Sequence, residues 1–380
     1  MNDALSSLID SRRVLVTVGA GGVGKTTTAA ALAVAAARRG KRVLCLTIDP
    51  AKRLAESLGI ESMKTEATIV DNARFEAVGI TMTGTLTAMM LDTKRTFDEL
   101  IVKYSSSKEK ADRLLSNKLY TYVSTSLAGT QEYMAMEKLV AVKDDPRYDL
   151  VILDTPPTAN ALDFLDAPER LVEALDSATM KLFIEAFQSS GKFSLNLVTK
   201  GASAVLRGIG KITGGGFLEA MAEFISELNE LFGGFKERAL RVQKTLRGND
   251  IAFVLVTSPS PPAIKEVLYF AERLEEAKMP RGALVVNRFH LPPARAMEGV
   301  TEADAAAGIA ARGLLLEEDA PSRIVQAHLD SVKLAMLDAA HVRALASASM
   351  PIVRVAQLDT DVQDLALLAQ LSDVLMMGGV

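Results

Sequence analysis

The segment Gly19-Ala20-Gly21-Gly22-Val23-Gly24-Lys25-Thr26-Thr27 constrains the fold more than any other stretch of the chain. It satisfies G-x-x-x-x-G-K-[ST] and stands between an apolar run, Val14 to Val18, and an Ala-rich, helix-favouring run, Thr26 to Arg39. Strand, glycine loop and helix in that order form the context in which such a loop wraps a polyphosphate. Glycines let successive backbone N–H groups turn inward, and the helix N-terminus adds positive partial charge. Gly19, Gly21, Gly22, Val23, Gly24, Lys25, Thr26 and Thr27 are the candidate nucleotide-binding residues. Lys25 is also a catalytic candidate, because its ammonium can reach the β- and γ-phosphates. The Thr26 hydroxyl is a candidate ligand for Mg²⁺.

Bulk properties narrow the function class. The chain has 380 residues, 49% of them hydrophobic and 24% charged, enough for a sizeable core. A net charge of −4 argues against a general nucleic-acid binder. The N-terminal stretch lacks the apolar centre of a signal peptide, and no apolar run approaches the ~20 residues of a membrane span. A cytoplasmic protein with no integral membrane segment is expected. Cys45 is the only cysteine, so one chain holds no disulfide, zinc clip or thiolate-bound cluster. Its place in the apolar run Arg42 to Ile48 reads as a buried strand thiol.

Short, continuous apolar runs mark buried strands at Val14–Val18, Val43–Ile48, Phe75–Ile80, Leu150–Leu153, Ile251–Thr257, Ala283–Val286 and Ile352–Val355. Helical patterns separate them. The expected fold is α/β, a doubly wound, mostly parallel sheet of the P-loop NTPase type. Two connections, Thr81 to Tyr148 and Leu162 to Asn249, far exceed a simple crossover and read as an inserted helical subdomain. The division is then 1–80, 149–161 and 250–380 for the nucleotide-binding domain, and 81–148 with 162–249 for the helical part. Within the latter, Phe217, Leu218, Met221, Phe224, Ile225, Leu228, Leu231 and Phe232 recur at helical spacing between glycines. That face reads either as packing inside its own subdomain or as a wall for a hydrophobic client.

Other residues fit a nucleotide site. Asp154 ends the apolar strand Leu150–Leu153, where an acid can position Mg²⁺. Asp49 ends the second strand, before Pro50, where a carboxylate can face the γ-phosphate, orient the attacking water and approach the metal. Thr26, Asp49 and Asp154 are thus the candidate Mg²⁺ set. Asn287-Arg288 follows the run Ala283–Val286, and an Asn amide can pair with adenine N6 and N7, which favours ATP. The stretch Arg354 to Leu358 is expected to pack on the base.

In these residues the chain resembles the ArsA-like ATPases, which include the arsenite-pump ATPase and the ATPases that target tail-anchored membrane proteins. The resemblance spans nearly the whole chain. It is carried by Gly19–Thr27, Thr47-Ile48-Asp49-Pro50-Ala51, Asp154-Thr155-Pro156-Pro157-Thr158, Asn287-Arg288, and the segment Leu127 to Glu137. It implies a dimer that sandwiches ATP and Mg²⁺, with Asp49 in switch I and Asp154 opening switch II. Three departures stand out. Ala20 occupies the place of the family's second loop lysine. Asn160 stands where switch II usually has His. The metalloid-binding cysteines and zinc CxxC are missing, which disfavours arsenite pumping.

The leading expectation is an ATP-hydrolysing dimeric switch serving a hydrophobic client or a membrane-associated protein. Its dimer is formed with itself or with a paralogous ATPase that carries the lysine. One alternative is a positioning ATPase resembling MinD and ParA proteins, disfavoured by the acidic stretch Asp359 to Met377. Another is a regulatory subunit that binds ATP with little turnover, favoured by Ala20.

Overall fold

The computed structural model describes residues 4–48, 53–60, 66–117, 130–155, 237–294 and 299–379, with residues 120, 173 and 296. The chain opens with α1 (Ala4–Ser11), β1 (Val14–Val18), α2 (Lys25–Arg38), β2 (Arg42–Thr47) and α3 (Arg53–Ser57). It continues with β3 (Thr68–Ile69), α4 (Asn72–Glu76), β4 (Thr85–Met90), α5 (Thr93–Tyr104), α6 (Lys108–Ser116), α7 (Thr130–Lys143) and β5 (Leu150–Asp154). After helical residues 237–246 come β6 (Ile251–Thr257), α8 (Pro261–Glu276), β7 (Arg281–Phe289), α9 (Glu302–Ala311) and α10 (Ala320–Val342). A 3₁₀ turn (Arg343–Ala348), β8 (Ile352–Ala356) and α11 (Leu365–Met376) complete it.

Among the described residues, eight strands form one sheet in the order β3-β4-β2-β5-β1-β6-β7-β8. Every pairing is parallel except β3 with β4. Alternation along each strand splits the core between the two faces. Val14, Val16 and Val18 join Leu44, Leu46, Leu153 and Leu255 on one face, beneath side chains from α5, α7 and α8. Leu15, Val43, Cys45 and Ile152 face the other way, onto α1, α2 and α11. Burial on both sides explains why these strands read as unbroken apolar runs. The Ala-rich sequence of α2 lets it lie close on the sheet, sealed outside by α11.

One expected strand is corrected. Residues 72–76 are helical, with Asp71 capping the helix by accepting from Ala73 N at 3.0 Å, and Gly79 turns the chain at φ +78°. The strand beside β2 is instead β4, which extends the sheet into the 81–148 stretch read as helical. Cys45 is fully buried as expected, and burial, reinforced by Asp154, raises its thiol pKa well above the ordinary value. Most of the second excursion, including the 217–232 amphipathic pattern, lies outside the described residues. Among the described residues, no helix is long and apolar enough to cross a membrane.

Candidate nucleotide-binding site

β1 lies between β5 and β6, and the chain crosses past β5 to form β2. This strand-order reversal opens a crevice at the carboxyl ends of the strands, where ligands bind in doubly wound sheets. The glycine loop fills that position. Gly19 has φ +151°, and a Cβ there would stand 2.0 Å from the Val256 carbonyl oxygen. Gly24 has φ +95°, and a Cβ there would meet the Asn287 amide nitrogen at 2.2 Å. Both glycines are required by backbone angle and by space. Between them Gly22, φ +76°, opens onto unfilled space. The loop is thus tight against β6 and β7 and open on its other side.

Lys25 begins α2 and is almost completely buried, its Nζ donating to the Ala20 carbonyl at 2.7 Å. A buried ammonium costs several kcal/mol unless it meets oxygen partners or opposite charge. Here it curls back over its own loop. Ala20 itself is buried in the core cluster of the α2 face.

Asp154 is fully buried at the end of β5, level with Thr17 of β1. Thr47 Oγ1 donates to its Oδ2 at 2.9 Å, which fixes the carboxylate from the neighbouring strand. Thr155 donates its hydroxyl to the Thr17 carbonyl at 2.8 Å, clamping the next residue to β1. Thr155, the residue after Asp154, borders a cavity of roughly 430 Å³, in the range of small-molecule sites. Gly22, Gly24, Lys25, Thr26 and Thr27 form its floor, with Thr155 beside them. Glu56 and Ser57 of α3 also line it, as do Arg288, Asp361, Val362 and Gln363.

The structure therefore brings together the loop, Asp154 and Asn287-Arg288. Asn287 Nδ2 donates to the Val23 carbonyl at 2.9 Å, tying the end of β7 to the loop. Arg288 adopts φ +59° and reaches within 3.8 Å of Asp361. Both partners are exposed, so the pair adds little stability. Asp49 and Pro156 to Asn160 lie outside the described residues. Arg354 to Leu358 does not line the cavity. Arg354, Val355 and Ala356 belong to β8, the Arg354 guanidinium lies over the Phe289 ring, and residues 361–363 line the cavity instead. Sequence reasoning missed Glu56, Ser57 and residues 361–363. The only available signal was their position just past strand ends.

A profile of the anion-transporting ATPase family matches residues 12–303. The chain belongs to the ArsA-like ATPases. Among curated relatives, it is 26% identical to "ATPase get3" of Aspergillus terreus over 296 residues, 77% of this chain and 78% of that protein. It is 27% identical to "ATPase get3" of Aspergillus niger over 299 residues, with the same coverage of each. "ATPase GET3" of Phaeosphaeria nodorum matches at 25% identity over 300 residues, 77% of this chain and 82% of that protein. This ArsA-like ATPase is thus an ATP-binding protein of a hydrolase family. Mg²⁺ with ATP fits its donor set: a Thr at the loop's end, a buried strand-end carboxylate, and inward-turned glycines. Mg²⁺ bound with nucleotide takes one or two protein ligands and completes its shell with phosphate and water.

Proposed function

We propose that this chain is an ATP-hydrolysing switch that closes as a dimer around nucleotide and couples closure to a hydrophobic client or partner protein. The observation that supports the nucleotide half best is the loop itself, two glycines pressed against β6 and Asn287 while Gly22 opens on the cavity. Lys25 would exchange the Ala20 carbonyl for phosphate oxygens, a stronger, charge-assisted partner. Thr26 would hold Mg²⁺ directly, with Asp154 positioned through the Thr47 hydroxyl and acting through water. The metal neutralises charge on the transferring phosphoryl group. Asp49 would orient the attacking water. Asn287 commits one amide hydrogen to Val23 and keeps its second hydrogen and its oxygen for an adenine edge. The client half rests on the apolar spacing of residues 217–232.

Ala20 supports a second reading. Without a lysine there, a homodimer lacks one cation at the shared phosphates, and such cations are worth ~10³-fold or more in rate. The chain would then be the ATP-holding member of a heterodimer. Steady-state hydrolysis measured against the protein's own concentration separates the two. A rate rising faster than linearly is expected for the self-sufficient dimer. Tight ATP binding with negligible turnover at every concentration would favour the regulatory subunit. Asp49→Asn is expected to keep ATP affinity and lower turnover roughly 10²-fold or more. Full activity in that variant would remove Asp49 from the mechanism.

A further inference from the structure

Among the described residues, two carboxylates line the cavity above the glycine loop, Glu56 and Asp361. Acids are unexpected there, because the floor is built for phosphates. Lys25, the inward-turned backbone N–H groups and the start of α2 all select negative charge. A carboxylate beside a phosphate oxygen is repelled, and more strongly in a partly dry cleft than in open water. The two acids therefore face the uncharged part of the nucleotide. They differ in their partners. Arg288 lies 3.8 Å from Asp361 and supplies it with a cation. Among the described residues, none forms an ion pair with Glu56.

The placement of Glu56 is firm. Leu54, Ala55, Ser57 and Leu58 are all buried, and within 54–58 Glu56 alone is exposed. The buried residues seat α3 against α2. Just beyond, a Cβ on Gly59 would stand 3.7 Å from Leu365 Cγ, so the end of α3 leans on the start of α11. Glu56 is thus held at the cavity by a short, well-packed helix. The donors that a nucleoside offers such a carboxylate are few. The adenine amino group is already matched by the Asn287 oxygen. What remains is the pair of ribose hydroxyls, neighbouring donors suited to the two oxygens of one carboxylate. Acids near dinucleotide phosphates hold the ribose in this way. We propose that Glu56 accepts from the ribose hydroxyls of the bound nucleotide and makes the site select ribonucleotides over deoxyribonucleotides. This rests on the ATP-binding reading of the same cavity and gives the sugar a residue of its own.

The test is calorimetric titration of the full chain, in Mg²⁺, with ADP, 2′-deoxyADP, 3′-deoxyADP and inorganic tripolyphosphate. ADP avoids turnover, and tripolyphosphate reports on the loop without a nucleoside. In the unaltered chain at least one deoxynucleotide is expected to bind roughly 10-fold or more weakly than ADP, the scale of a hydrogen bond to a charged group. Glu56→Ala should weaken ADP by about the same factor and bind all three nucleotides alike. Glu56→Gln keeps an acceptor oxygen and should retain part of the preference. Tripolyphosphate should bind Glu56→Ala as tightly as the unaltered chain or more tightly, because a like charge has gone. A damaged fold or a lost metal ligand would weaken it instead. Three results would each overturn the proposal: both deoxynucleotides binding as tightly as ADP, a preference that survives Glu56→Ala undiminished, or tripolyphosphate weakened along with ADP. Binding of ADP without sugar preference would remove this proposal alone. A chain that bound neither ADP nor tripolyphosphate would overturn the ATP-binding reading and this proposal with it.

Discussion

Lys25→Ala is expected to lower ATP turnover at least ~10²–10³-fold, the scale seen when one preorganised donor to a developing charge is removed. It should also abolish the rise in melting temperature that Mg²⁺ and ATP produce. The nucleotide-free protein should hardly notice the change. Lys25 sits at the start of α2, where a positive charge opposes the helix dipole, and its ammonium donates to the Ala20 carbonyl. Losing that bond costs about 1 kcal/mol, and relief at the helix end offsets part of it. Saturating ligand is a larger effect, about 2.7 kcal/mol at a hundredfold excess over the dissociation constant. Thermal unfolding with and without Mg²⁺ and ATP therefore separates a binding role from a structural one. If the variant kept the full ligand-induced shift, Lys25 would not be at the phosphates.

The parts legible in the sequence were those where one physical signal dominated. β1 and β6 were read to the residue because both faces are covered, which leaves continuous apolar runs with no competing pattern. The glycine loop was legible because its angles and clearances admit no other residue at Gly19 and Gly24. β4 was not, because Thr85-Leu86-Thr87-Ala88-Met89-Met90 mixes threonine into a largely buried strand. The apolar Phe75–Ile80 drew the assignment instead. The counter-signals were present: Asp71 as a helix cap, and Gly79 as a stop. The wall formed by residues 361–363 carried no chemical signature, since its place depends on how β8 hands the chain to α11. Asn287 was noticed for a base-reading amide, yet its contact with Val23 is a tertiary fact, linking residues 264 apart in sequence.

Glu137→Ala is expected to be among the most destabilising substitutions outside the nucleotide site. Glu137 on α7 and Arg238, in the helical residues that return to β6, are both nearly inaccessible to water. Their Nε and Oε1 atoms are 3.5 Å apart, and the Arg238 guanidinium lies 3.9 Å from the centre of the Tyr104 ring on α5. Tyr133 donates its hydroxyl to Glu137, and burial, then the Glu137 charge, raises that hydroxyl's pKa well above its ordinary value. One ion pair thus joins three helices from both long excursions. Removing the carboxylate takes the opposite charge away from a buried guanidinium, at a cost of about 3–5 kcal/mol. In a chain of this size the melting temperature should fall by roughly 4–6 °C. The compensated variant, Glu137→Leu with Arg238→Met, removes both charges and should recover most of the loss. Recovery would show that the pair's charges, rather than the volume of either side chain, set the penalty. A double variant as unstable as Glu137→Ala would instead assign the stability to packing of the guanidinium on Tyr104.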